Sequence, residues 1–400
     1  VNLPLSARVG RIKPSATLVV TARAAELRRA GKDVIGLGAG EPDFDTPEHI
    51  KDAAIQAIRD GHTKYTAVDG IIELKEAICD KFKRENGLSY APDQVLVSSG
   101  GKQSLYNLFE ALLNDGDEVV IPAPYWVSYP AMALLADAEP VIVRAGADQH
   151  FKITPEQLAS AITNKTRLFV LNSPSNPTGA AYTAAELVDL AEVLREHPRV
   201  VIVTDDMYEH IYWAKEPFVS FLNAAPDLYE RTVTMNGVSK AYAMTGWRIG
   251  YVGGPKAVVA AMRKIQSQST SNPCSVAQYA AWAALSGDQS CVAEMTKAFH
   301  QRHDYVVDKL NSLAGFSCIP GAGTFYAFPN VAGAIEAVPD VSNDVEFSEF
   351  LLEQAGVAVV PGTAFGSPGH IRLSFACGLE TLEDALGRIA AALPAEATVA

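Results

Sequence analysis

Between residues 94 and 254 the chain repeats one unit, a short apolar run rich in Val and Ile followed by a stretch of helical periodicity. "QVLVSS" (94–99) precedes a helix near 101–113, "DEVVIP" (117–122) precedes one near 125–136, and "EPVIVR" (139–144) follows. "TRLFVLN" (166–172) and "RVVIVTD" (199–205) flank a helix near 184–196, and "RTVTMNG" (231–237) and "RIGYVGG" (248–254) continue the series. Continuous Val/Ile runs mark strands buried on both faces, and intervening helices make such strands parallel or mostly parallel. The predicted fold class is α/β: a large domain over residues 45–312, with a mostly parallel mixed sheet sandwiched by helices. Residues 1–44 and 313–400 then form a small α+β domain from both chain ends. Ligands of parallel sheets bind outside the carboxyl ends of the strands, so polar residues that follow each strand are the first candidates.

Bulk properties remove several classes of function. The net charge is −13, which speaks against a nucleic-acid partner, since that needs a basic surface to meet phosphates. No apolar run is long enough to span a membrane, and "VNLPLSARVGRIKPSAT" lacks the apolar stretch of a signal peptide. Cys79, Cys274, Cys291, Cys318 and Cys377 are scattered and never in CxxC spacing, so neither a zinc site nor a disulfide framework is expected. A cytoplasmic location fits that usage.

Strand ends supply the chemistry. "VSSGGKQSLYN" (97–107) reads as strand, Gly pair and helix start, where backbone N–H groups favour an anion. "GLGAGEPD" (36–43) lacks the GxGxxG spacing of a dinucleotide site, which disfavours a nicotinamide-dependent oxidoreductase. "NSPSNPTG" (172–179) ends a strand with Asn176, "TDDMYEH" (204–210) ends another with Asp205 and Tyr208, and "PAPYWVSYP" (122–130) puts Trp126 after a third. "VSKAYAMTGWRIGY" (238–251) sets Lys240 and Arg248 among Gly, aromatic and apolar residues, and "HIRLSFA" (370–376) places Arg372 inside an apolar strand. A cation in that setting needs an anionic partner. An amine, an acid, hydrogen-bonding groups, a flat aromatic, arginines and a helix start together suit pyridoxal 5'-phosphate.

These motifs, with "AGEPDFDTP", resemble the class I, fold-type-I pyridoxal-phosphate aminotransferases over nearly the whole chain. The similarity is closest to the prokaryotic-type aspartate aminotransferases, including plant-plastid-like enzymes that also accept prephenate. The resemblance implies that Lys240 joins the cofactor covalently and moves the substrate proton, and that Asp205 pairs with the pyridine nitrogen. Tyr208 and Asn176 would meet the ring oxygen, and Trp126 would stack on the ring. Arg248, Ser99, Gly100, Gly101 and Tyr65 would surround the phosphate, with Ser239 a weaker candidate. Tyr65 of "TKYTAVDG" would come from the neighbouring subunit, which implies a homodimer. Asp206 stands where relatives often have Glu and is read as secondary, and Gly237 replaces a phosphate-binding Ser of more distant relatives.

For substrates the resemblance implies amino acids and 2-oxo acids. Arg372, helped by Asn176 and Gly38, would hold the α-carboxylate. The distal carboxylate would fall to Lys102 of "GGKQ" with Thr17, because the partner-subunit arginine of another subgroup is replaced by Ser267. The expected activity is transfer from L-aspartate to 2-oxoglutarate, with prephenate or aromatic amino-acid transamination as the alternative. A regulator built on the same fold would need an attached basic DNA-binding domain. Two cis peptide bonds are expected, at Ala123–Pro124 and Asn176–Pro177.

Overall fold

The apolar runs pair as their composition requires. The computed structural model describes residues 3–394. Its strands are β1 (Ile35–Gly36), β2 (Val95–Ser98), β3 (Glu118–Ala123), β4 (Glu139–Arg144), β5 (Thr166–Asn172), β6 (Val201–Asp205), β7 (Thr232–Gly237), β8 (Gly250–Gly253), β9 (Tyr326–Ala327), β10 (Val357–Ala358), β11 (Val360–Pro361) and β12 (Ile371–Ser374). Seven of them form one sheet in the order β2-β8-β7-β6-β5-β3-β4. The pairs from β4 to β7 are parallel, whereas β8 is antiparallel to both β7 and β2. Only β8 therefore runs against the rest.

Both faces of this sheet are covered, which is why its strands read as continuous apolar runs. In β5, Leu168 and Val170 pack with Leu105 and Phe109 of the helix Gly101–Leu112. Phe169 and Leu171 point the other way, against Leu187, Leu190 and Leu194 of the helix Ala184–Arg195. That second helix starts at Thr183, whose hydroxyl accepts from Glu186 N–H while Glu186 accepts from Thr183 N–H.

Of the next three helices, Lys256–Ser269 and Ser275–Ser286 pack within the large domain, Met262 against Leu105 and Ala281 against Leu74, and Ser290–Asn311 leads out of it. Phe299, Val306 and Leu310 of the last enter a separate core with Phe325, Leu373 and Leu386. The N-terminal segment joins this smaller unit through β1, which pairs with β10. Its first turn goes elsewhere: Arg8 and Arg11 form ion pairs with Asp137 beside the helix Ser128–Leu135. All five cysteines are free thiols, and among the described residues no helix is long and apolar enough to cross a membrane.

Close approach explains two glycines at the sheet edge. A Cβ on Gly250 would lie 2.2 Å from the Gly101 nitrogen, so β8 can lie under the start of the helix Gly101–Leu112 only without a side chain. Gly100, the residue before that helix, has φ +85°, and a Cβ there would lie 2.2 Å from Arg248 Nη2. Gly250→Ala pushes backbone against backbone, and is expected to destabilise the fold by about 1–3 kcal/mol, read as a lower denaturation midpoint in urea.

Candidate active site

The parallel register delivers the candidate residues to one edge. Ser98, Gly250 and Gly237 stand in one rank across β2, β8 and β7, and Asn172 stands beside Asp205 across β5 and β6. The turns after these carboxyl ends carry Ser99 to Lys102, Asn176, Asp205 to Tyr208 and Lys240. Because β8 is reversed, its beginning lies at the same edge, and Arg248 comes two residues before it. A cavity of about 440 Å³ opens there, lined by Lys240, Asp205, Tyr208, Arg372, Trp126 and Lys102, among others.

Lys240 is half-buried and its ammonium donates to Gly40 O. Burial, then the positive charges of Arg372 and Arg248, push its pKa down to about 8. Asp205 is 5% exposed, and burial pushes its carboxyl up to about 6 against hydrogen bonds that favour the ionised form. Tyr129 OH donates to Asp205 Oδ2 at 2.6 Å, and Met207 N–H reaches Oδ1 at 3.3 Å. The hydroxyls of Tyr208 and Tyr326 share a hydrogen bond of 2.9 Å.

Arg372 is buried with no carboxylate partner among the described residues. Its Nη1 donates to Asn176 Oδ1 at 2.9 Å and its Nη2 to Gly38 O at 2.7 Å, and the guanidinium lies 4.3 Å from the Tyr326 ring centroid. Its Nε is buried without a partner, and burial lowers its pKa. A desolvated cation held only by neutral groups is costly unless an anion joins it. Lys102 is solvent-facing, with Nζ 5.1 Å from the Trp126 ring centroid and no ion pair among the described residues. The cavity lining thus carries Lys102, Lys240, Arg248 and Arg372 against Glu41 and Asp205, an excess of positive charge inside an acidic chain.

At the helix start, Arg248 Nη1 donates to Thr245 O at 3.0 Å and Nη2 lies 3.5 Å from Ser99 O. The helix Gly101–Leu112 has no side-chain N-cap, and this leaves its first N–H groups open to an anion. Ser239 and Thr17 also line the cavity. Two expected positions stand apart. Tyr65 is 92% exposed and outside the cavity of its own protomer, and Ser267 is exposed, its hydroxyl donating to Lys264 O. Asp206 turns away from the ligand side, accepting hydroxyl hydrogens from Thr204 and Ser220.

One expected feature is corrected. Ala123–Pro124 is cis, but the second cis bond falls at Ser173–Pro174 rather than Asn176–Pro177. Asn176 N–H donates to Asn172 Oδ1 at 2.9 Å, and Asn176 Oδ1 accepts from Arg372 Nη1.

Residues 32–389 match the family Aminotransferase class I and II. The chain belongs to that family. It is 58% identical to the aspartate/prephenate aminotransferase of Nitrosomonas europaea over 98% of this chain and 100% of that protein. The aspartate aminotransferase of Rhizobium meliloti superposes with a TM-score of 0.94 at 50% identity, covering 98% of this chain and 99% of that one. The Thermus thermophilus aspartate aminotransferase with maleate gives 0.92 at 46% identity, covering 98% and 100%.

Aminotransferases of this class use pyridoxal phosphate, and the residues present fit it. The cavity offers an amine of depressed pKa, a buried carboxylate facing it, and a glycine cradle that a Cβ would fill: on Gly101 it would meet Met207 Cε at 2.7 Å. Elsewhere in this aminotransferase, Glu85, Glu209 and His210 lie close enough to hold a metal, but the Lys81 ammonium already pairs with Glu209 there.

Sequence reasoning did not single out Tyr129, Tyr326, Asn172 or Glu41 as site residues. Tyr129 and Tyr326 sit in apolar runs where an aromatic reads as core. Only the placement of Tyr129 three residues after Trp126, at the start of the helix Ser128–Leu135, offered a signal.

With a pKa near 8, the Lys240 amine is mostly protonated at neutral pH and neutral above it. Covalent uptake of pyridoxal phosphate by the cofactor-free aminotransferase is therefore expected to accelerate about tenfold per pH unit below pH 8 and to level off above. Borohydride trapping and the absorbance shift on covalent uptake measure this, and Lys240→Ala is expected to bind the cofactor but give neither a trapped adduct nor that shift.

Proposed function

We propose that the chain is an aspartate aminotransferase that passes the amino group of L-aspartate to 2-oxoglutarate in two half-reactions. The observation that carries the reading is the pair of uncompensated cations at separate points of one cavity, Arg372 deep among Asn176, Gly38 and Tyr326, and Lys102 against Trp126. A dicarboxylic amino acid has one carboxylate for each. The maleate named with the Thermus relative is likewise a dicarboxylate.

Bound pyridoxal phosphate supplies a carbonyl carbon for the amino group and a conjugated ring that accepts the electron pair freed at the substrate Cα. The protein's own groups do the rest. Arg248, Ser99 and the N–H groups at Gly100 and Gly101 would hold the phosphate. Asp205 would pair with the pyridine nitrogen, Tyr208 and Asn176 would meet the ring oxygen, and Trp126 would lie against the ring. Lys240, its pKa lowered by burial, would hold and move a proton at the substrate Cα. Arg372 forks onto the α-carboxylate, a geometry that lysine cannot copy. Lys102 and Thr17 receive the distal group.

Prephenate is the second substrate this pocket favours. It is also a dicarboxylate, and the Nitrosomonas relative is named for both activities. Tyr65, fully outside its own cavity, is proposed to complete the phosphate site of the partner subunit in a homodimer, with exposed Ile55, Ile58, Ile72 and Trp282 supplying apolar contact surface.

Two variants separate the carboxylate sites. Arg372→Lys is expected to raise KM steeply for every amino acid, because all share the α-carboxylate. Lys102→Met is expected to cut kcat/KM for aspartate roughly thirty- to several-thousand-fold while leaving phenylalanine and alanine nearly unchanged. Half-reaction kinetics on each substrate read the difference, and equal losses for mono- and dicarboxylic amino acids would remove Lys102 from the reading. Sedimentation of the purified chain is expected to show a dimer.

A further inference from the structure

Among the described residues, Asp205 is the only acid buried in the cavity, and its environment works against its charge. It is 5% exposed, and no cation forms an ion pair with it among the described residues. A carboxylate so placed stays ionised only if neighbouring donors replace the lost water. The groups that face it are few: the hydroxyl of Tyr129 from the helix Ser128–Leu135, the Met207 N–H on its own turn, the more distant charge of Lys240, and the phenol of Tyr208.

Tyr129 makes the shortest of these contacts. It is 2% exposed, its hydroxyl lies 2.6 Å from Asp205 Oδ2, and burial beside that carboxylate pushes its own pKa well above the usual phenol range. The phenol is therefore always a donor there. The same ring packs edge-on against Trp126, with centroids 5.4 Å apart and planes at 85°, and the Tyr129 N–H donates to Trp126 O at 3.1 Å. One residue thus touches both the acid and the aromatic that flank the cofactor position, without itself lining the cavity.

We infer that Tyr129 is a positioning residue for the cofactor: its hydroxyl holds Asp205 ionised and turned, committing Oδ2 inward and leaving Oδ1 for the protonated pyridine nitrogen. Met207 N–H, at 3.3 Å, is a weak competitor for that oxygen. The inference rests on the assignment of Asp205 to the pyridine nitrogen. The bond is a hydrogen bond from a neutral phenol to a charged acceptor, among the stronger kinds in a buried site.

The test is Tyr129→Phe, which keeps the ring against Trp126 and removes only the donor. Without the donor the Asp205 carboxyl protonates at higher pH. Pairing with the protonated pyridine then requires release of that proton. The full chain titrated with pyridoxal phosphate is expected to bind on the order of ten- to a hundred-fold more weakly at neutral pH. Its acid-side loss of affinity is expected to move to higher pH, and the visible absorbance of the holoenzyme to titrate at a shifted midpoint. KM for aspartate is expected to change little while kcat falls. Tyr129→His, which offers an N–H donor, is expected to restore part of the affinity.

Asp205→Asn separates the two assignments. It is expected to weaken cofactor binding by itself and to abolish the further effect of Tyr129→Phe, since the phenol then has no charge to hold. An additive loss in the double variant, or wild-type affinity and pH profile in Tyr129→Phe alone, overturns the role of Tyr129 while leaving Asp205 in place. Wild-type cofactor affinity in Asp205→Asn overturns both.

Discussion

Everything at the site depends on the parallel pairing of β5, β6 and β7. Parallel strands end on the same side, so the residues that follow them must meet at one edge however far apart they lie in sequence. Asn172 and Asp205 are partners across two strands, and Gly237 and Gly250 across two more. The single reversed strand completes the set: because β8 begins where the others end, Arg248 arrives beside Ser99 and Gly100 without a loop of its own. Small residues permit this crowding. Gly250 lets the helix start sit on β8, and Gly100 leaves room for the guanidinium.

The electrostatics are equally one-sided. An acidic chain gathers Lys102, Lys240, Arg248 and Arg372 around one cavity with two carboxylates. Burial first, then repulsion from Arg372 and Arg248, lowers Lys240 into the range where an amine can be a nucleophile near neutral pH. The same imbalance leaves Arg372 in search of an anion. On the proposed function, cofactor phosphate and substrate carboxylates would bring the missing negative charge, so binding would relieve a cost that folding leaves in place.

Much of this was readable in the residues. Continuous Val/Ile runs identified buried parallel strands because a strand covered on both faces has no polar side to alternate with, and Leu168 to Leu171 facing two cores in turn shows it. Lys240 and Arg372 stood out because a charge in apolar company needs a reason, and Asp205 and Asn176 because they follow the ends of strands. Tyr129 and Tyr326 did not stand out, since an aromatic in an apolar run needs none, and only its hydroxyl's partner distinguishes a working phenol from a packed one. The docking of Arg8 and Arg11 onto Asp137 was illegible for a related reason: it depends on a partner distant in sequence.

The sequence by itself determined the strand and helix alternation, the glycine positions where the backbone must approach closely, and the kinds of groups available for chemistry. These follow from local rules, namely periodicity, the missing Cβ and the cost of burying charge. Only the tertiary structure decided which groups meet. It set Tyr129 against Asp205 and Tyr326 beneath Arg372, left Arg372 without a carboxylate, and placed Tyr65 outside its own cavity. Those outcomes depend on distances between segments up to hundreds of residues apart, and a hydrogen bond or an unpaired charge is settled by distance and burial rather than by the residue's name.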